Sequence, residues 1–387
     1  MKIVIFDGTF KTTTFINRLI KGLANEHEVF VLGFNETIKS KIIGVQYVGL
    51  GPNTSKLIFI LRSAKLRAFN FIKQFKLFLQ LLKGLKSEIS QDNFQIAINK
   101  IQPDILHFQW VSLLVYLEFL KLPKHTKTIL SQRGYHINVR PFINQDNKVF
   151  LNEVFSKLDG FHSVSKAIQK KSNEIYASPL KIDHVVYSGF DIDSFRFKNT
   201  WNTNKKIQIL SIGRDHWVKD YRTALLTISI LKKNKISIHY TVVGVNKSEE
   251  LLFLVNELNL TDSVTFLDSM PQGEVYEKML ESDLFLLPSV EEGIANVCVE
   301  AMLCKLPVLS TDCGGMSELI VDSETGFLAP SRSPKAIADK ISIFSKLQEI
   351  DILQLVNTAY MNATTQHNSE QMVDGMISLY KKVYENN

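Results

Sequence analysis

With 387 residues, 45% of them hydrophobic and 22% charged, the chain has the make-up of a globular protein with room for two cores. No run approaches the ~18 apolar residues of a membrane-spanning helix. The net charge of +6 is uneven: residues 37–87 hold ten Lys and Arg and no Asp or Glu, so the remainder is acidic by four. That asymmetry points to a local anionic partner rather than a generally basic protein.

Residues 2–6, KIVIF, read as a buried first strand and not as the apolar region of a signal peptide. Gly8 and Thr9 follow it, and Thr12 to Thr14 are placed to cap a helix over 15–24. Residues 28–33 are a second strand. GLGPNT at 49–54 fails the G-x-G-x-x-G pattern and reads as a loop. Residues 56–86 read as one long basic amphipathic helix. Leu61, Ala64, Ala68, Ile72, Phe75, Leu79 and Leu82 form a stripe beside Arg62, Lys65, Lys73, Lys76 and Lys83. Two roles fit it: docking on an anionic membrane leaflet, or a domain helix with its stripe in the core and its lysines in water. Nucleic acid is not the expected partner, because no recognised binding fold accompanies the charge.

Short strands follow at 105–107, 127–131 and 160–164. A boundary falls near 187–195, where YSGFDIDSF gives way to polar WNTNKK. Asp191 and Asp193 there suit turn and cap roles better than a metal-bound diphosphate. Further strands are expected at 207–212, 239–243, 264–267, 284–288 and 308–310, each followed by a helical pattern. Alternating β and α segments give parallel, doubly wound sheets that bind ligands at the carboxyl ends of their strands. Residues 369–385 are amphipathic, with Met372, Met376, Leu379 and Val383 at helical spacing. Cys298, Cys304 and Cys313 show no metal-ligand spacing and cannot all pair, which fits a reducing cytosol.

The residues with the clearest chemistry lie in the second half. Gly213 and Arg214 end a strand and Lys219 follows, two cations placed to neutralise a diphosphate. Gly244 ends the next strand, and Met270 and Pro271 sit in a turn after another. Glu292 and Glu300 flank Gly293, Ile294, Ala295, Asn296 and Val297 at a helix start. There backbone N–H groups attract an anion and carboxylates accept hydroxyls.

Residues 288–318, PSVEEGIANVCVEAMLCKLPVLSTDCGGMSE, closely resemble the E-x7-E signature of the retaining, nucleotide-sugar-dependent glycosyltransferases of group 1, or family 4. LPS at 287–289, EAM at 300–302, PVLST at 307–311, GGMSE at 314–318 and TGFLAP at 325–330 match in order, as does the G-R…K element of Gly213, Arg214 and Lys219. The resemblance runs from about residue 2 to the last helix and is most specific over 213–330. It implies an α/β GT-B fold of two Rossmann-like, doubly wound domains facing a cleft. An acceptor-side domain would span 1–190 and a nucleotide-sugar domain 191–366, with a helix at 367–387 crossing back to the first.

The resemblance also implies site roles. Glu292 contacts the donor sugar, Glu300 the ribose, Arg214 and Lys219 the diphosphate, and Met270, Pro271 and Gly244 line the nucleotide. Gly8 and Thr9 form an acceptor-side loop. The family's histidine is replaced: SQRGYHI puts Arg133 at its position, with His136 three residues on. Arg133 cannot act as a base but could donate to sugar hydroxyls, and His136 has a suitable pKa for proton transfer. The donor is then a nucleoside diphosphate sugar, with no metal and no cofactor. The acceptor is a glycan or lipid-linked glycan of a bacterial envelope or surface polysaccharide, met in the cytoplasm or on the inner face of its membrane. A degenerate transferase that only binds sugar nucleotide, and a sugar-nucleotide epimerase, are the alternatives.

Overall fold

A computed structural model describes residues 1–10, 12–34, 41–52, 54–68, 70–201 and 206–386. Lys39, Asn53, Phe69 and residues 202–205, all within stretches read above, lie outside the described residues. The chain forms two compact units. One comprises residues 1–164, 169–190 and 369–387; the other comprises 165–168 and 191–368.

The first unit is built on seven strands: β1 (Lys2–Gly8), β2 (Glu28–Gly33), β3 (Val45–Gly49), β4 (Ile105–Phe108), β5 (Lys127–Gln132), β6 (Gly160–Ser163) and β7 (Ile182–Val185). Their order is β3-β2-β1-β4-β5-β6-β7, and every pairing is parallel. The connections reverse direction between β1 and β4, which is where a doubly wound sheet opens a ligand crevice. The central strands β1, β2 and β4 are largely apolar and buried, as in a sheet covered by helices on both faces.

The last helix, Ser369–Glu385, completes this unit. Met372, Met376, Leu379, Tyr380 and Val383 are buried among Ile3, Ile5, Ile16, Ile20 and Ile129. Glycines let it approach closely. A Cβ on Gly22 would stand 2.3 Å from a Val373 methyl, and one on Gly160 2.5 Å from a Val383 methyl. The Tyr380 hydroxyl and His107 Nδ1, on β4, are hydrogen-bonded at 2.8 Å.

The second unit repeats the plan with β8 (Ile207–Ile212), β9 (Ile238–Val243), β10 (Val264–Leu267), β11 (Leu284–Leu287), β12 (Val308–Thr311) and β13 (Phe327–Ala329). The order is β10-β9-β8-β11-β12-β13, again all parallel, with the reversal between β8 and β11. Both units are thus Rossmann-like. The sequence pattern had marked neither β3, β7 nor β13.

The stretch 56–86 differs from its expectation. It is not one helix but parts of three: Lys56–Leu66, Phe71–Leu82 and the start of Lys86–Ile101. Asn70 caps the second piece by accepting from Lys73 N, and Gly84, at φ +69°, ends it. Nor does the stripe lie in the core. Ile72 is 84% exposed, Phe75 64% and Leu82 70%, and Phe71, Phe78 and Leu61 are also exposed. Phe59, Leu77 and Ile89 form the small cluster that holds these helices together.

Leu379→Ala should cost about 2–5 kcal/mol, because the side chain is fully buried between the last helix and the sheet. Denaturant unfolding should show a lowered midpoint for the first unit.

Candidate active site

In the second unit the candidate residues gather at the carboxyl ends of β8, β9 and β11. Gly213 leaves β8, and its N–H donates to Val243 O. Gly244 takes φ +101° and passes so close that a Cβ there would stand 2.6 Å from Gly213 O; no other residue fits without displacing β8. Arg214 is exposed and forms no ion pair among the described residues. One turn of 3-10 helix, Trp217–Lys219, brings Lys219 back towards β11.

Lys219 Nζ lies 2.6 Å from Glu292 Oε1, and Ser289 Oγ donates to the same oxygen at 2.8 Å. Both members of the pair are mostly but not fully buried. A single charged contact there is stronger than on an open surface, where such pairs contribute about 0–1 kcal/mol. The two loops are also joined through the backbone, Val290 N donating to Val218 O at 2.8 Å.

The Glu292 loop is braced from a third side. A Cβ on Gly314 would sit 1.8 Å from Glu292 O, and one on Gly315 2.0 Å from Gly293 O. The helix Asn296–Leu303 begins directly after this loop, at Ala295, with no side-chain cap. Its first N–H groups therefore face the loop with the positive end of the helix behind them. Glu300 lies one turn in. Its Oε1 accepts from Gln272 Nε2 at 3.1 Å and from the Tyr276 hydroxyl at 3.5 Å. Gln272 and Tyr276 belong to the helix that follows Met270 and Pro271, so that turn and Glu300 are physically linked. Spacing alone did not reveal Ser289, Gln272 or Tyr276; Ser289 was visible only as part of the LPS run.

In the first unit a separate polar cluster stands at the ends of β1, β4 and β5. Gly8 has φ +77°, which suits its turn. Arg133 donates from Nη1 to Gln109 O and from Nη2 to Gln109 Oε1, the latter at 3.1 Å. Its guanidinium also lies over the rings of Phe15 and Trp110, at 4.8 and 5.2 Å. Burial draws its pKa down to about 10, so it stays charged at neutral pH. The fork that was expected to reach sugar hydroxyls is thus largely engaged within the protein.

Asp7, not singled out by the sequence, accepts from Trp110 Nε1, and Arg133 and Thr9 also favour its charged form. Burial outweighs them and pushes its carboxyl up to about 6. His136 sits in the short helix Tyr135–Asn138, its ring edge-on to Tyr135 at 5.7 Å. Asp191 precedes a turn of 3-10 helix, Ile192–Ser194, and Asp193 lies within it. No group of three or more His, Cys, Asp or Glu among the described residues is arranged to hold a metal.

Two parallel, helix-covered sheets with the last helix returned to the first unit constitute the GT-B architecture, and solved structures share it. HepE of Anabaena, crystallised with UDP and glucose, superposes with a TM-score of 0.73 at 17% identity, over 99% of this chain and 100% of that one. Sucrose-phosphate synthase of Thermosynechococcus elongatus superposes with a TM-score of 0.77 at 14% identity, over all of both chains. By sequence, residues 191–359, which lie in the second unit, match the family described as "Glycosyl transferases group 1".

The amylovoran biosynthesis glycosyltransferase AmsK of Erwinia amylovora is 28% identical over 59% of this chain and 58% of its own length. The putative colanic acid biosynthesis glycosyltransferase WcaL of Escherichia coli K12 is 28% identical over 48% of this chain and 47% of its own. The chain spans about half the length of the curated relatives it matches.

The raised Asp7 pKa predicts a pH dependence. A carboxyl with a higher pKa folded than unfolded contributes stability that is fully present below the unfolded value, near 4, and lost as pH rises through about 6. Asp7→Asn removes this dependence. Relative to the wild type, the variant should therefore gain about 2 kcal/mol between pH 4 and pH 7, read by denaturant unfolding at both.

Proposed function

We propose that the protein is a retaining glycosyltransferase that moves a sugar from a nucleoside diphosphate sugar to a hydroxyl of a glycan or lipid-linked glycan in surface polysaccharide synthesis. The observation that carries this is the Lys219–Glu292 pair set against an uncapped helix start, with Glu300 one turn along. Relatives named for amylovoran and colanic acid synthesis support the polysaccharide, and a neighbour solved with UDP and glucose supports the donor class.

In this reading Glu300 accepts the ribose hydroxyls, and Met270, Pro271 and Gly244 line the nucleotide. Arg214, Lys219 and the N–H groups of Gly293 to Val297 neutralise the diphosphate, without a metal. Glu292, oriented by Lys219 and Ser289, accepts a hydroxyl of the donor sugar. The bond from the anomeric carbon to the diphosphate oxygen breaks, and that oxygen takes the acceptor's proton. The new bond forms on the face just vacated, so configuration is retained. No protein base is needed, which suits a chain with Arg133 in place of the family's histidine. Charge grows on the diphosphate as the bond breaks, so the cations act mostly in the transition state. Gly8, Thr9 and His136 belong to the acceptor side.

The acceptor side also bears on location. No helix among the described residues is long and apolar enough to cross a membrane. The helix Phe71–Leu82 nevertheless holds Phe71, Ile72, Phe75, Phe78 and Leu82 in water, flanked by exposed Lys65, Lys73, Lys76 and Lys83. An apolar face rimmed by cations suits an anionic bilayer, into which such a helix settles at headgroup depth. We assign this surface to the inner face of the cytoplasmic membrane, where a lipid-linked acceptor is held.

Titration calorimetry with free nucleoside diphosphates and their sugar derivatives tests the donor half. Glu300→Gln should weaken both ligands about tenfold, whereas Glu292→Gln should weaken only the sugar-bearing one. Arg214→Ala with Lys219→Ala should lower transfer efficiency at least a hundredfold without unfolding the protein. Full activity in that double variant excludes the clamp, and donor binding without any turnover favours a degenerate transferase.

Co-sedimentation with phosphatidylglycerol vesicles tests the membrane face. Binding should weaken as salt rises, and Phe75→Ser with Phe78→Ser should reduce it at every salt concentration. Absence of binding at low salt excludes the assignment.

A further inference from the structure

We infer that Trp217 is a stacking platform for a pyranose ring. The other tryptophans have internal work: Trp201 is 4% exposed within the core of the second unit, and Trp110 donates its N–H to Asp7. Trp217 is 53% exposed, on the loop between the two cations of the candidate site. A large aromatic surface left in water at such a place has the form of a binding element.

The loop is rigid. The His216 ring accepts from Val218 N at 3.3 Å, and its plane lies 28° from the Trp217 ring with centroids 6.0 Å apart. Asp220, in the left-handed region at φ 47°, closes the turn, and its carboxylate accepts from Thr223 N and Oγ1 at 3.2 and 2.7 Å. On the other side Val218 O is bonded to Val290 N, and Lys219 to Glu292. Trp217 is therefore two residues from the lysine that orients Glu292, on a segment with little freedom to collapse.

A pyranose has the matching chemistry. One face is a patch of C–H groups, which pack on an indole, and its edge is a ring of hydroxyls, which need charged or polar partners. His216 stacks beside the platform, and Lys219, paired with Glu292, follows two residues along the same segment; these are the polar groups at hand. This inference rests on the transferase reading for the identity of its ligand. The ring could be the donor's own sugar or a sugar of the acceptor glycan, and the test separates these.

The full-length protein and its Trp217→Phe variant are compared by acrylamide quenching of tryptophan fluorescence, the difference reporting Trp217. The probes are UDP, GDP and ADP, their glucose derivatives, and soluble gluco- and galacto-oligosaccharides. If the donor sugar stacks, a sugar nucleotide shields Trp217 and its parent diphosphate does not. If an acceptor sugar stacks, an oligosaccharide shields it. Trp217→Ala should weaken whichever probe shields by roughly three- to tenfold, leave the diphosphate affinity unchanged, and keep the far-ultraviolet dichroism of the wild type.

Diphosphates that bind normally while no sugar-bearing probe shields Trp217 overturn the platform alone. Equal shielding by a diphosphate and its sugar derivative also overturns it, since the base or phosphate would then be the occupant. If no nucleotide binds at all, the transferase reading fails. The platform is then decided by the oligosaccharides, and no shielding by them overturns it too.

Discussion

Two glycines hold the second unit's loop at its working position. Gly314 and Gly315 lie so close to the carbonyls of Glu292 and Gly293 that a single added carbon would displace them. From the opposite side Val218 accepts from Val290 N, and Lys219 holds the Glu292 carboxylate. The loop is thus clamped between the segment after β8 and the segment after β12. Because it is clamped, the helix after it begins at a fixed point, and its uncapped N–H groups face a fixed volume. Carboxylate, cation and helix end are thus held in place by the fold itself.

The two halves of the chain were unequally legible. The inner strands β1, β2, β4, β5, β6, β8, β9, β11 and β12, and the edge strand β10, are short and mostly apolar runs closed by turn residues, a pattern that parallel sheets covered on both faces favour. β3, β7 and β13 are hidden for a different reason. β3 and β7 are sheet edges with partly exposed, mixed residues, and β13 has three residues only. The stretch 56–86 misled because a helical stripe was present in the sequence while Asn70 and Gly84 broke the chain into pieces. The stripe then turned to water rather than to a core, which periodicity cannot distinguish.

The candidate site divides in the same way. In the second unit the chemistry is local in sequence, so Glu292, Glu300, Arg214 and Lys219 could be read from motif spacing. Their supporting contacts, from Gln272 and Tyr276 on a separate helix and from Val218 to Val290, became visible only in three dimensions. In the first unit Arg133 was noticed because it departs from a family pattern. What it does depends on Asp7 at the end of β1 and on Gln109 and Trp110 just after β4. No local pattern marks a carboxylate whose behaviour is set by burial.

The return of the last helix gives the protein an order of events. Its Met376, Leu379 and Tyr380 fill the interior of the first unit, and Tyr380 is bonded to His107 on a strand made 273 residues earlier. During synthesis the second unit emerges whole before those residues leave the ribosome. The first unit must therefore wait with part of its interior open, while the unit made after it can already close. Until that seventeen-residue helix docks, the nascent chain's open apolar surface lies in its first unit.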